Sequence, residues 1–210
     1  MTAIRKATPA DIDDCARVLA LAFQDDPGTV NFEPDAERRR SLLPAFFRTF
    51  VAASLSEEGD LVVAGDPMEG IASWFGPDRH GPSPDAMGAH GFGDVLAQAG
   101  PESADRLIAM VGEIERQHAL LAGSRHLRLE FYGVVPDRQG TGLGTALIDD
   151  GHRRADGLGL PTYLETFKDS NVGFYQRRGY DVVGEFTIGD GTPGWGMIRP
   201  ARTTTSTSRE

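Results

Sequence analysis

The stretch Val134-Val135-Pro136-Asp137-Arg138-Gln139-Gly140-Thr141-Gly142-Leu143-Gly144-Thr145 constrains this chain more than any other. An alternating run over residues 127–135 reads as a strand entering it, and an amphipathic run over residues 142–156 reads as a helix leaving it. Gly140, Gly142 and Gly144 let the backbone between them adopt positive φ or approach a ligand closely. Successive N–H groups then point into one concavity at the positive end of a helix dipole. A corner of that kind is built to hold a pyrophosphate.

The rest of the chain alternates strand and helix signals, which favours a mixed α/β sheet in a single domain over residues 1–200. Residues 3–7 suit an edge strand. Thr8, Pro9 and Asp11 then open a helix as cap, first helical residue and capping-box acid, and Ile12, Cys15, Ala16, Leu19 and Phe23 follow at helical spacing. The breaker cluster 24–28 ends that helix. A second helix is expected over 35–56, with Leu42, Phe46 and Phe50 in register and Arg38, Arg39 and Arg40 on a solvated early face. Residues 60–64 and 70–75 read as a hairpin, 76–91 as an irregular Gly/Pro-rich loop, and 92–121 as one or two helices. Strands at 162–166, 180–186 and 195–199 and a short helix at 171–178 complete the order. The polar tail 201–210 is expected to be disordered.

Charge and composition exclude several classes of function. Against 21 Lys and Arg stand 31 Asp and Glu, a net charge of −10, so neither nucleic acid nor an anionic membrane is an expected partner. No run approaches the roughly 18 apolar residues of a membrane span. Asp11, Asp13 and Asp14 fall where a signal peptide would need its apolar core. A cytoplasmic protein is expected. The single cysteine, Cys15, rules out a disulfide framework or a multi-cysteine zinc site and reads as a core residue. His80 and His90 lack partner spacing, so no metal is expected; His118 and His126 are the histidines nearest the acceptor side by sequence order, and His118 reads as solvated or capping.

Which phosphate the corner holds is a matter of spacing. No lysine lies in the turn, so it is not a P-loop, and Leu147 stands where a dinucleotide fingerprint needs its third glycine. The arrangement Gln139-x-x-Gly142-x-Gly144, after a strand ending in Val-x-Pro, resembles the acetyl-CoA loop of the GNAT superfamily of N-acetyltransferases. The resemblance continues through Tyr163-Leu164-Glu165-Thr166 and Asn171-x-x-Phe174-Tyr175-x-x-x-Gly179-Tyr180, covering about residues 127–186. Ala22-Phe23-x-Asp25-Asp26-Pro27 and Trp74-Phe75-x-Pro77 resemble the puromycin N-acetyltransferase-like branch, while Leu127-Arg128 departs from the aromatic pair frequent among relatives. The resemblance implies a GNAT fold whose mixed sheet splays at the cofactor strand. Acetyl-CoA as co-substrate would be held by Val134, Val135, Arg138, Gln139, Gly140, Thr141, Gly142, Leu143, Gly144, Thr145 and Asn171. Tyr175 would serve as the acid facing the cofactor sulfur.

Acetyl transfer to an amine also needs a neutral nucleophile. An alkyl ammonium is deprotonated in only about one molecule in 2,500 at pH 7, so a carboxylate must take its proton. Strict alternation along 127–132 puts Leu127, Leu129 and Phe131 on one face and Arg128, Glu130 and Tyr132 on the other. That makes Glu130 the first candidate base and Glu165, on the adjacent strand, the second. The resemblance also implies a bulge in the 127–135 strand, which would free main-chain N–H groups for the thioester carbonyl. The acceptor is expected between the two N-terminal helices, the 76–91 loop and the strand ends. Asp25 and Asp26 would favour a small cationic amine, such as an aminonucleoside-type antibiotic, a polyamine or an amino-sugar, and Trp74 and Phe75 would either offer it a stacking surface or lie in a buried aromatic strand. A CoA-binding regulatory module without turnover is the alternative. Monomer and homodimer are both compatible with the sequence.

Overall fold

A computed structural model of the chain describes residues 3–123 and 125–202. Most of the predicted tail therefore lies outside the described residues. Seven strands form one mixed sheet: β1 (Ile4–Lys6), β2 (Asp60–Ala64), β3 (Gly70–Phe75), β4 (Leu127–Val134), β5 (Thr162–Thr166), β6 (Asp181–Ile188) and β7 (Thr192–Arg199). Their order is β1-β2-β3-β4-β5-β7-β6, and only β4 and β5 run parallel. Eight α-helices are present among the described residues: α1 (Ile12–Phe23), α2 (Pro27–Phe32), α3 (Ala36–Ser56), α4 (Pro84–Ala89), α5 (Phe92–Ala99), α6 (Pro101–Leu121), α7 (Leu143–Leu158) and α8 (Asp169–Gln176). No helix among them is long and apolar enough to cross a membrane.

Local chemistry explains two departures from the expected elements. The breaker cluster that ends α1 also starts α2, because the Asp26 side chain accepts from the Gly28 N–H at 2.9 Å and Pro27 takes the first helical position. In the 76–91 segment, the Ser83 hydroxyl accepts from the Ala86 N–H at 3.1 Å and Pro84 opens α4, so this stretch is not wholly irregular.

The sheet separates two cores. α1, α3, α5 and α6 cover one face, where Cys15, Leu19, Phe47 and Leu107 are fully enclosed. α7 and α8 cover the other, burying Leu147, Ile148, Ala155 and Tyr175.

The decisive irregularity is in β4. Ser73 of β3 faces Phe131 and Trp74 faces Leu129, which leaves Glu130 with no partner on β3. This bulge overturns the strict alternation read from the sequence. Leu127 and Leu129 join the α7 core, whereas Phe131 packs on the opposite face, against Phe23, Phe47 and Phe50 at ring centroids of 5.4, 5.1 and 4.6 Å. An extra residue shifts side-chain parity by one, and everything after it changes face. β4 pairs with β5 only through Leu127↔Thr162, Arg128↔Tyr163 and Leu129↔Leu164. Beyond the bulge the two strands part, and a wedge opens between them.

Candidate active site

One cleft of about 770 Å³ runs from that wedge to the ends of α1, α2 and α6. Its first arm is the glycine turn. The Gln139 side chain donates to the Val134 carbonyl at 3.1 Å, tying the turn back to the strand end. Gly140 and Gly142 have φ of +75° and +89°, and a Cβ on either would meet nothing within 4 Å, so both present bare backbone to open space. Gly144 differs: a Cβ there would collide with the Tyr132 hydroxyl and lie 3.0 Å from its Cζ. Its glycine therefore serves packing inside the protein.

Val134, Gln139, Gly140, Gly142, Gly144, Thr145, Asn171 and Tyr175 all line the cleft. Side chains of four other expected cofactor residues go elsewhere. Leu143 is buried under α7, Val135 packs on the α1/α3 core, Arg138 pairs with Glu69 at 3.1 Å, and Thr141 donates to the Arg138 carbonyl at 2.7 Å. None of the four lines the cleft.

Asn171 is not the N-cap of α8, a position held by Lys168; its Nδ2 donates to the Thr166 hydroxyl at 3.3 Å. Tyr175 is buried, with burial and the neighbouring Tyr132 and Tyr180 pushing its hydroxyl well above the ordinary range, so it keeps its proton. Arg178, which the sequence reading missed, lies over the Phe174 ring at 3.5 Å and donates to the Thr145 hydroxyl while lining the cleft. Two positive-φ glycines with open sides, the start of α7 and a fixed guanidinium together fit the diphosphate of a coenzyme A.

The second arm is acidic and centres on Arg128. This guanidinium is 1% exposed and reaches Glu115 at 2.7 Å, Glu130 at 3.0 Å and Glu165 at 3.3 Å. Burial pushes the Glu165 carboxyl up to about 7, against the pull of Arg128. Glu130 is raised as well, by the same burial, and its Oε2 makes no hydrogen bond. Burial alone would raise Glu115 too, but His118 and Arg128 hold it at about 2. Asp26, raised by burial, also lines the cleft, and Asp25 does so beside it. With every group ionised, five carboxylates against Arg128, Lys168 and Arg178 give the lining a net negative charge. An acid titrating near 7 inside such a pocket is poised to accept a proton from an ammonium.

Several expectations for the acceptor side are corrected. Trp74 is 1% exposed beneath α7, where a Cβ on Gly151 would collide with its indole, and Phe75 packs on Phe50 at 6.3 Å. Neither reaches the cleft, whose aromatic lining includes Phe23, Phe32, Phe46, Phe131 and Phe167 instead. The 76–91 loop does not line it either, and α6 takes that place through Met110, Val111, Ile114 and Glu115. Arg39 is not on a solvated face. It is buried and donates to the carbonyls of Gln24, Glu33 and Pro34 at 2.6, 2.7 and 3.0 Å. His118 and His126 are likewise buried, with their Nε2 atoms 2.8 Å apart, and His80 stacks on His126 at 4.4 Å, so the absence of ligand spacing in the sequence misrepresents the folded arrangement. A scan for separations could not have found this, because three elements must fold together first.

Similarity to known proteins agrees with the geometry. Residues 71–180 match the family described as "Acetyltransferase (GNAT) family". Among solved structures, the chain is similar to a histone acetyltransferase HPA2 and related acetyltransferase from Corynebacterium glutamicum, with 23% identity, 97% of this chain and 98% of that one covered, and a TM-score of 0.66. It is also similar to a polyamine N-acetyltransferase of Drosophila melanogaster that forms N-acetylagmatine, at 15% identity and a TM-score of 0.60 over 95% and 100% of the two chains. A third similar structure, the PaiA N-acetyltransferase of Thermoplasma acidophilum in complex with coenzyme A, has 13% identity and a TM-score of 0.56 over 95% and 99%. With a glycine corner opening into a forked sheet and a family match across more than half its length, the chain belongs to the GNAT acetyltransferase family.

Proposed function

We propose that this protein acetylates a primary amine on a small cationic acceptor, with acetyl-CoA as donor. The observation that carries the reading is that one continuous cleft joins the diphosphate corner to a net-negative arm holding a carboxyl poised near 7. When bound, acetyl-CoA supplies an activated thioester. The main chain of Gly140 to Thr145, with Arg178 and Asn171, holds and orients it.

The bulge at Glu130 leaves β4 main chain facing the wedge, where an N–H can stabilise the thioester oxygen as charge develops. The acceptor ammonium is drawn by Asp26 and the Arg128-centred carboxylates. Glu130 and Glu165 share the task of accepting its proton, and Arg128 keeps the resulting pair of charges tolerable in a buried setting. Tyr175 keeps its own proton until the departing thiolate takes it. Substrates held side by side in one cleft need no covalent enzyme intermediate, and positioning supplies much of the remaining rate.

The acidic arm suits polyamines and agmatine, the class named for the Drosophila relative, and leaves aminonucleosides as a further acceptor class. A panel of polyamines, agmatine, aminonucleosides and peptide N-termini, followed by free-thiol release, tests the reading. Turnover with a cationic small amine is the expected result. Coenzyme A binding with no turnover on any amine would instead make the protein a binding module.

A further inference from the structure

We propose that His80, His118 and His126 form a three-histidine site for a divalent transition metal of the zinc class, which pins the loop after β3 to the end of α6 and the start of β4. No part of the acetyl-transfer chemistry requires these rings. One ligand atom from each lies within 4.8 Å of the others. Ring centroids are 4.4, 4.8 and 4.9 Å apart, and His80 brings a buried Nδ1 with no hydrogen-bond partner.

The construction resembles a ligand set more than a packed aromatic cluster. His118 is 6% exposed and His126 1%, and imidazoles are costly to bury for packing alone. The His118 and His126 Nε2 atoms point at each other at 2.8 Å. Tetrahedral zinc with nitrogen at about 2.0–2.1 Å places ligand atoms roughly 3.3 Å apart. That pair therefore has to part by about half an ångström while His80 closes in, movements that ring rotation supplies.

The surroundings are also arranged. Behind His118, on its Nδ1 side, stands Glu115 with Oε2 at 3.8 Å, an ion-pair distance from which a small side-chain movement would bring the carboxylate into hydrogen bond with a ligating imidazole. Arg128 donates both to Glu115 at 2.7 Å and to the His80 carbonyl at 3.1 Å, so it fixes the orienting carboxylate and the loop backbone together. An all-imidazole set selects zinc, cobalt, nickel or copper over magnesium and calcium, and three protein ligands leave a fourth position for water. The site adjoins the acceptor arm through Glu115 and Arg128, so an ion there stiffens the wall carrying the carboxylates.

Tag-free, chelator-treated full-length protein titrated with Co²⁺, and separately with Zn²⁺ by calorimetry, tests the proposal. The expected result is one ion per chain with a Kd below about 10 µM and visible cobalt bands of low-coordinate intensity. His80→Ala, on the loop and outside any core, should weaken binding by more than the about 10–100-fold that a lost orienting partner costs, with unchanged circular dichroism. His90→Ala, at an exposed position, should leave it untouched. A Kd weaker than about 10 µM, or equal affinity in wild type and His80→Ala, overturns the site. Acetyl transfer is measured independently, so failure here leaves the proposed activity standing.

Discussion

The two arms of the cleft are made in opposite ways. The cofactor arm comes from one nearly continuous segment, β4 through α8, and much of what it offers is main chain: two open glycines, the start of α7 and the end of a strand. The acceptor arm is assembled from side chains on α1, α2, α3, α6, β4 and β5, elements up to about a hundred and forty residues apart in sequence. Backbone recognition of a diphosphate needs only torsion angles, which a short sequence specifies. Recognition of an acceptor needs charges brought together by packing, and those can change without disturbing the corner.

Substitutions sharpen this contrast. The largest effect is expected at Tyr175, a cofactor-arm residue that contributes a side chain. Tyr175→Phe should lower kcat by about 10²–10⁴ with little change in KM for acetyl-CoA; stopped-time assays with saturating cofactor read it, and an unaltered kcat would remove the acid role. Next is the centre of the acceptor arm. Arg128→Ala leaves Glu115, Glu130 and Glu165 without their shared counter-charge, and loss of a buried partner costs about 3–5 kcal/mol, visible in urea unfolding. Wild-type stability in that variant would mean the carboxylates are solvated and the hub is not a hub.

Gly142→Val attacks the corner alone. A β-branched residue at φ +89° costs about 1–3 kcal/mol of strain and fills the open side, so KM for acetyl-CoA should rise about tenfold or more while amine KM holds. Equal damage to both KM values would show that the arms are coupled. The smallest effect is a change of profile. With the Glu165 carboxyl near 7, the protonated form below that pH cannot accept the amine proton, so kcat should rise as pH increases through about 7. In Glu165→Gln that limb should vanish. Should it persist there and vanish in Glu130→Gln, the base is Glu130.

The cofactor arm was legible because its signals are local. Spacing in Gln139-x-x-Gly142-x-Gly144 and the strand–turn–helix order around it survive into the structure, as do the hairpin of β2 and β3 and the α5–α6 pair. The acceptor arm was legible only in part. Asp26 and Glu165 do line the cleft, but for Trp74 and Phe75 the sequence left platform and buried strand open, and the structure puts both into the cores. An exposed and a buried aromatic strand have the same composition, and only the helices placed on the sheet distinguish them. Arg178 was passed over because its role depends on Phe174 and Thr145, one beside it in α8 and the other across the wedge in α7.

By itself the sequence determined most of the strand and helix order and the glycine corner, since each depends on neighbours a few residues away, while the short helices α2 and α4 escaped it. Tertiary structure alone decided the face on which Phe131 lies, the carboxylates that surround Arg128 and the meeting of His80, His118 and His126. A single bulge at Glu130 reverses side-chain parity along β4. Where an extra residue is accommodated depends on what β3 and β5 present alongside, a condition imposed by distant chain segments and invisible in the alternation of the strand itself.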